Sequence, residues 1–245
     1  MRAAFVRIMG FTGFVSLDTC LYLLLVTFSK SSRARLTRHD LGRFPGGSLF
    51  DRLGRAVCEA ECLPRKELFE AWEMAKRVRR HLRGGRIVDI AGGHGLLAHL
   101  LLLLDLSSPV AMVVDKSPPA SGLKVHETLV ATWPALAGRV TFVATDLQNV
   151  ELDAGDLVVS SHACGALTDR VLERAAAVRA PVAVLPCCHN QAVSETDGLD
   201  GWLDAAMAID VVRARRLQSR GYRTWLLTIP EEITLQNRLL VGVPA

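Results

Sequence analysis

The chain has 245 residues, half of them hydrophobic and 22% charged, which sets aside a disordered segment, a fibrous repeat or a disulfide-stapled miniprotein. Its formal net charge of +4 and pI near 8.9 suit an anionic partner such as RNA, and suit an enzyme of neutral small molecules almost as well. The cysteines, Cys20, Cys58, Cys62, Cys164, Cys187 and Cys188, form no regular lattice, so reduced thiols and a cytoplasmic location are expected.

Met1 to Arg7 carries two arginines, and Phe11 to Phe28 is almost continuously apolar, as in a targeting segment or anchor. Asp18 interrupts the run, no small-x-small cleavage site follows, and the stretch is short for a span of ~20 residues. A buried or loosely attached helix, or a start codon set too far upstream, is the plainer reading, with no stable membrane association. Residues 30–48, basic and then rich in glycine and proline, read as a linker that closes an N-terminal unit over 1–48.

A helical lead-in is expected over 49–84. Leu49, Leu53, Val57 and Ala60 recur at helical spacing. Pro64 opens a second helix that carries Leu68, Trp72, Ala75 and Val78 on one face, and Gly84-Gly85 ends it. From residue 85 to 245 short apolar strands alternate with helices. The strands are "RIVDI", "VAMVVD", "RVTFVATDL", "GDLVVSS" and "APVAVLP"; after a long helix over "LDGWLDAAMAIDVVRARRLQSRGY" come "RTWLLTIP" and "NRLLVGVP". This rhythm implies an α/β fold, Rossmann-like, with a seven-stranded mostly parallel sheet, helices on both faces and an antiparallel terminal hairpin.

The first strand runs into Asp89-Ile-Ala-Gly-Gly-His-Gly95. Gly92, Gly93 and Gly95 let the backbone approach a ligand and turn into a helix whose first N–H groups are unpaired. Asp115 closes the second strand at the spacing that suits two ribose hydroxyls. Asp89 precedes the glycines, where it would repel a pyrophosphate and attract an ammonium. The plain alternatives are a loop cap for Asp89 and a solvated strand end for Asp115. His94, inside the turn, is expected near the ligand.

This pattern resembles the first motif of class I S-adenosylmethionine-dependent methyltransferases, over roughly residues 65–245. The resemblance implies S-adenosyl-L-methionine as cofactor, held by Asp89, Gly92, Gly93 and Gly95. It makes Asp115 the ribose acid and Asp146, in "VATDL", the acid near the adenine; "TD" after a strand is also an ordinary turn. The loops after the fourth and fifth strands, "SSHACGALTD" and "PCCHN", should face each other at the carboxyl edge of the sheet. They resemble the "His-x-Cys-Gly" and "Cys-Cys-His" loops of a subgroup that includes tRNA 2′-O-methyltransferases. His162, Cys164, Gly165, Asp169, Cys187, Cys188 and His189 match. Ser161 stands where the tRNA enzymes often carry a basic residue, and their small zinc module has no counterpart in this sequence.

The resemblance makes His162, Cys164 and His189 the candidate catalytic residues, with Cys187, Cys188 and Asn190 lining the acceptor pocket. Zinc ligation, a vicinal disulfide and a cysteine nucleophile are the alternatives for the cluster, and no metal is expected. The acceptor is expected to be RNA, with a tRNA ribose hydroxyl as the implied case and a small molecule as the alternative. A non-catalytic relative is the competing class. The basic stretches 77–83 and 213–220 are candidate phosphate contacts or simply solvated helix faces.

Overall fold

A computed structural model describes residues 28–245. The apolar segment discussed above lies, apart from Phe28, outside the described residues. The lead-in forms α1 (Leu49–Ala60) and α2 (Arg65–His81). Ser48 caps α1 by accepting the Asp51 N–H, and Glu61 ends it in a left-handed conformation. Residues 30–48 are not the free linker that their composition suggests. Leu36 and Phe44 are buried to 0% and 2% exposure, and a short 3-10 helix spans Arg38–Arg43. Phe44 stacks edge-on against Phe28 and Phe50, which in turn meets Phe69 and Trp72. Burial of these few large side chains outweighs the local glycine and proline content.

The sheet holds β1 (Arg86–Ile90), β2 (Ala111–Asp115), β3 (Val140–Ala144), β4 (Asp156–Ser160), β5 (Val182–Val184), β6 (Tyr222–Thr228) and β7 (Arg238–Pro244). Its order is β3-β2-β1-β4-β5-β7-β6. The first five strands pair in parallel, and β7 runs antiparallel to both β5 and β6. The expected seven-stranded sheet with its antiparallel terminal hairpin is therefore present.

Alternation along the strands splits the core in two. Ile87, Val113, Val140, Leu157, Val159 and Val241 face α1, α2, α3 (Leu96–Leu104) and α4 (Ser121–Thr132). Val88, Ile90, Val114, Val158, Val182 and Val184 face α5 (Ala166–Ala177) and α6 (Ala205–Ser219). The long final helix read from sequence is shorter than expected. A 3-10 turn over Leu199–Gly201 precedes it, and Asp204 starts α6 by accepting the Met207 N–H.

At the opposite, amino edge, Arg86 grips Asp156 of the neighbouring strand through two hydrogen bonds of 2.8 and 2.7 Å. This pins the register of β1 against β4, and so the positions of the loops that leave their carboxyl ends. No helix among the described residues is long and apolar enough to cross a membrane.

Candidate functional site

The glycine turn sits where β1 hands over to α3. Ala91, Gly93 and Gly95 all have positive φ, of 53°, 51° and 72°. A Cβ on Gly95 would lie 2.9 Å from Val113 Cγ2 and about as close to Phe142, and one on Gly92 would lie 2.8 Å from the Asp89 carboxyl carbon. The turn is thus pressed onto the strand ends, and only residues without side chains fit at these two positions. His99, fully buried in α3, holds it from below. Its Nδ1 donates to the Gly95 carbonyl at 2.7 Å, and its Nε2 meets His126 Nδ1 at 3.0 Å. That arrangement keeps His99 neutral, and burial pulls its pKa down to about 4.

Asp89 is wholly buried under the turn, and neither of its carboxylate oxygens has a hydrogen-bond partner. Burial pushes this carboxyl up to about 7; the nearby Ala98 amide opposes the shift without forming a hydrogen bond, and the Asp115 carboxylate adds to it. An unpaired buried carboxyl is costly, so a cationic ligand group gains most here. Asp115 lies at the tip of β2, next to the turn. One of its oxygens accepts the Gly93 N–H at 3.2 Å and the other the Ser117 N–H at 3.0 Å. Both contacts aim the carboxylate across the mouth of an open pocket of about 450 Å³, lined by Ile90, Ala91, Val114, Asp115, Asp146 and Leu167.

Asp146 shares that pocket, but it is already engaged. It caps a 3-10 turn over Leu147–Asn149 through the Gln148 N–H, and it pairs with Lys116 at 2.5 Å and with Arg170 at 3.1 Å. The Lys116 contact, foremost, holds its carboxyl down at about 2. The ordinary turn reading therefore holds for Asp146 alongside its place in the pocket wall.

On the other side of the turn a group forms that sequence spacing alone does not reveal. Glu67 in the first turn of α2 contacts His94 Nε2 in a short hydrogen bond. Burial works to raise the Glu67 pKa, and His94 more than offsets it, so the carboxylate is held below its ordinary range. His162, after β4, feels Glu67, Glu70 and His94. Burial leads in lowering its pKa, while the two glutamates pull the other way. Glu67 is thus a site residue that the sequence reading missed. The signal was faint: α2 runs antiparallel to β1, so its first turn reaches the carboxyl edge of the sheet, whereas its periodicity shows only the apolar face.

The two cysteine-bearing loops meet as expected. The Gly165 N–H donates to the Cys188 carbonyl at 3.3 Å. Cys164 Sγ lies 3.0 Å from Cys187 Sγ, which is 3.8 Å from Cys188 Sγ. Burial pushes the Cys164 and Cys187 thiols up, and the neighbouring thiols push Cys187 further. Both are therefore poor nucleophiles as they stand.

His189 has another partner. Its Nε2 contacts Asp210 of α6 at 2.8 Å, and Asp210 also binds Arg213 at 3.3 Å and Arg238 at 2.7 Å. This network ties His189, a candidate catalytic residue, to α6 and so fixes the loop after β5. Asn190 is exposed, and its side-chain oxygen accepts the Ala192 N–H at 3.0 Å, closing the next turn.

The basic stretches are divided between the interior and the surface. Arg213 is 2% exposed; it grips Asp169 at 2.8 and 2.9 Å and donates to the Gly165 carbonyl. Arg79 is buried against Leu101, Ser108 and Asp105. Arg80 and Arg83 remain exposed near the start of β1, at the edge opposite the glycine turn, and Arg215, Arg216 and Arg220 are exposed on or just after α6, with Arg216 paired to Glu195.

A family model described as a methyltransferase domain matches residues 67–195, just over half of the chain. The chain belongs to this methyltransferase-domain family. No curated protein matches it in sequence. Similar solved structures include an O-methyltransferase family protein from Burkholderia thailandensis, at 18% identity and TM-score 0.48, covering 93% of this chain and 68% of that one. A putative O-methyltransferase from Nostoc punctiforme has 16% identity and TM-score 0.48, covering 83% and 67%. The M1A22 tRNA methyltransferase TrmK of B. subtilis has 15% identity and TM-score 0.46, covering 71% and 65%.

The methyl donor of this methyltransferase is S-adenosylmethionine, and the residues present fit it. The buried, unpartnered Asp89 suits the ammonium of its methionine tail, directly or through one water. The open space beside Gly93, where an added Cβ would meet nothing within 4 Å, leaves room for the tail itself. The carboxylate of Asp115 at the pocket mouth suits the ribose hydroxyls. When bound, the cofactor supplies a methyl group on a sulfonium, open to in-line attack. What the chain adds is mainly position, since alignment alone lowers such a barrier substantially.

Proposed function

We propose that this methyltransferase moves the methyl group onto an acceptor hydroxyl whose proton passes to the group formed by Glu67, His94 and His162. The observation that carries this reading is the Glu67–His94 hydrogen bond, made at the glycine turn after β1 within electrostatic reach of His162. A carboxylate held ionised against an imidazole orients that ring and favours positive charge beside it, so an imidazole there can accept a proton without a metal or a nucleophilic intermediate. Glu67 orients His94, and His162, kept neutral by burial, is the ring free to take the proton.

RNA is the acceptor that the loop resemblance favours, with a ribose 2′-hydroxyl the natural oxygen. A small-molecule hydroxyl is the second reading. It is favoured by one observation: Arg79 and Arg213, within the basic stretches that would follow a phosphate backbone, are spent on internal ion pairs, and Arg80 and Arg83 lie at the far edge.

Purified protein incubated with methyl-labelled cofactor and separate RNA, protein and metabolite fractions decides between them. Label in RNA supports the first reading. Label confined to small molecules reverses the order, and label in none of the fractions removes the enzyme reading itself. Glu67→Gln is expected to lower turnover roughly 10²-fold, within the range for general-base loss, with cofactor affinity unchanged. Equal losses in both would assign Glu67 to cofactor binding.

A further inference from the structure

Cys164 and the adjacent pair Cys187 and Cys188 stand beyond the carboxyl ends of β4 and β5, which lie side by side in parallel register. The three sulfurs fall within 4.8 Å of one another. Cys164 and Cys188 are exposed and Cys187 is half-buried, so an ion can reach them from solvent. The proposed proton path uses none of them.

We propose that Cys164, Cys187 and Cys188 bind one soft divalent cation, zinc, as three thiolate ligands at the rim of the acceptor face. Tetrahedral zinc with sulfur at about 2.3 Å sets its ligand sulfurs roughly 3.8 Å apart. Cys187 and Cys188 already stand at 3.8 Å. Cys164, now 3.0 Å from Cys187, has to move outward by under ~1 Å, and its exposed loop position leaves room for that.

The usual objection to adjacent cysteine ligands comes from strands, where neighbouring side chains point to opposite faces. It does not apply here. β5 ends at Val184, and Cys187 and Cys188 lie in irregular backbone that turns both sulfurs to the same side. Three Zn–S bonds form, and each thiol proton displaced goes to solvent. With three protein ligands the fourth position is left to water or to an acceptor atom, the pattern of open zinc sites. A cation there ties the loops after β4 and β5 together next to His162. This inference stands apart from the acceptor reading, because metal binding is measured without any methyl transfer.

The test uses the full chain, reduced and stripped with chelator, then titrated with zinc against a chromophoric competitor. One equivalent is expected to bind, and Cys164→Ser, Cys187→Ser and Cys188→Ser should each weaken binding at least tenfold. Cys58→Ser and Cys62→Ser should leave it unchanged. Cobalt in place of zinc should give a sulfur-to-metal charge-transfer band that falls with each serine. A second measurement needs no variant. Zinc should slow alkylation of Cys164, Cys187 and Cys188, read by peptide mass, and leave Cys62 as reactive as before. Alkylation indifferent to zinc, binding that survives the triple serine variant, or a Cys164–Cys187 disulfide as the form isolated from cells would each overturn the proposal.

Discussion

The unpaired carboxyl of Asp89 makes cofactor binding depend on pH in a calculable way. With its pKa near 7 in the free protein, only the ionised fraction is ready to receive an ammonium. If the ammonium requires the carboxylate, the apparent Kd scales as one plus ten to the power of (7 − pH). That factor is roughly 33 at pH 5.5 and 2 at pH 7, so affinity should rise about sixteenfold, or ~1.6 kcal/mol, across the interval. The window stops short of pH 8, where an α-amino group itself begins to lose its proton. The free protein should show the opposite trend. Its folded state holds this proton more tightly than the unfolded chain does. The stabilising contribution is therefore full below about 3.8 and is lost as pH rises through about 7. The assay is calorimetric titration with S-adenosylmethionine at several pH values, on wild type and on Asp89→Asn. The variant should bind more weakly and lose the slope. A flat affinity in the wild type, or a slope that survives in Asp89→Asn, would refute the assignment of Asp89 to the ammonium.

Three further outcomes are expected. Asp115→Ala should weaken cofactor binding at least tenfold, ~1.4 kcal/mol, by removing the carboxylate that faces the pocket mouth, as read by the same calorimetry. Arg213→Ala strips a buried guanidinium from Asp169, Asp210 and the Gly165 carbonyl; chemical denaturation should show a loss of about 3–5 kcal/mol. His99, with its pKa down at about 4 against an ordinary value near 6.5, takes up a proton more readily when unfolded. Wild type should therefore lose stability relative to His99→Leu by up to ~1.4 kcal/mol per pH unit as pH falls from about 6.5 to 4, and show no such trend above.

Much of the architecture was legible because it follows from local pattern. The short apolar strands and the helices between them alternate with periods that only a covered parallel sheet satisfies, and all seven strands stand where that rhythm puts them. The glycine turn was legible for a similar reason, since a backbone with positive φ pressed against neighbours demands glycine in the sequence. The misreadings share one cause. Residues 30–48 look like a linker until Leu36 and Phe44 find a hydrophobic site made by α1 and α2. Arg79 and Arg213 look like surface charge until Asp105 and Asp169 are brought beside them.

The sequence by itself determined the fold class, the glycine turn after β1 and the edge of the sheet at which the motif-bearing loops gather. These depend on residue type and on spacing within a single strand–turn–helix unit. Tertiary structure alone decided partners such as Glu67 with His94 and His189 with Asp210. Each of these contacts joins side chains from different elements. Their meeting depends on how the elements pack at the carboxyl edge, and spacing along the chain does not encode it.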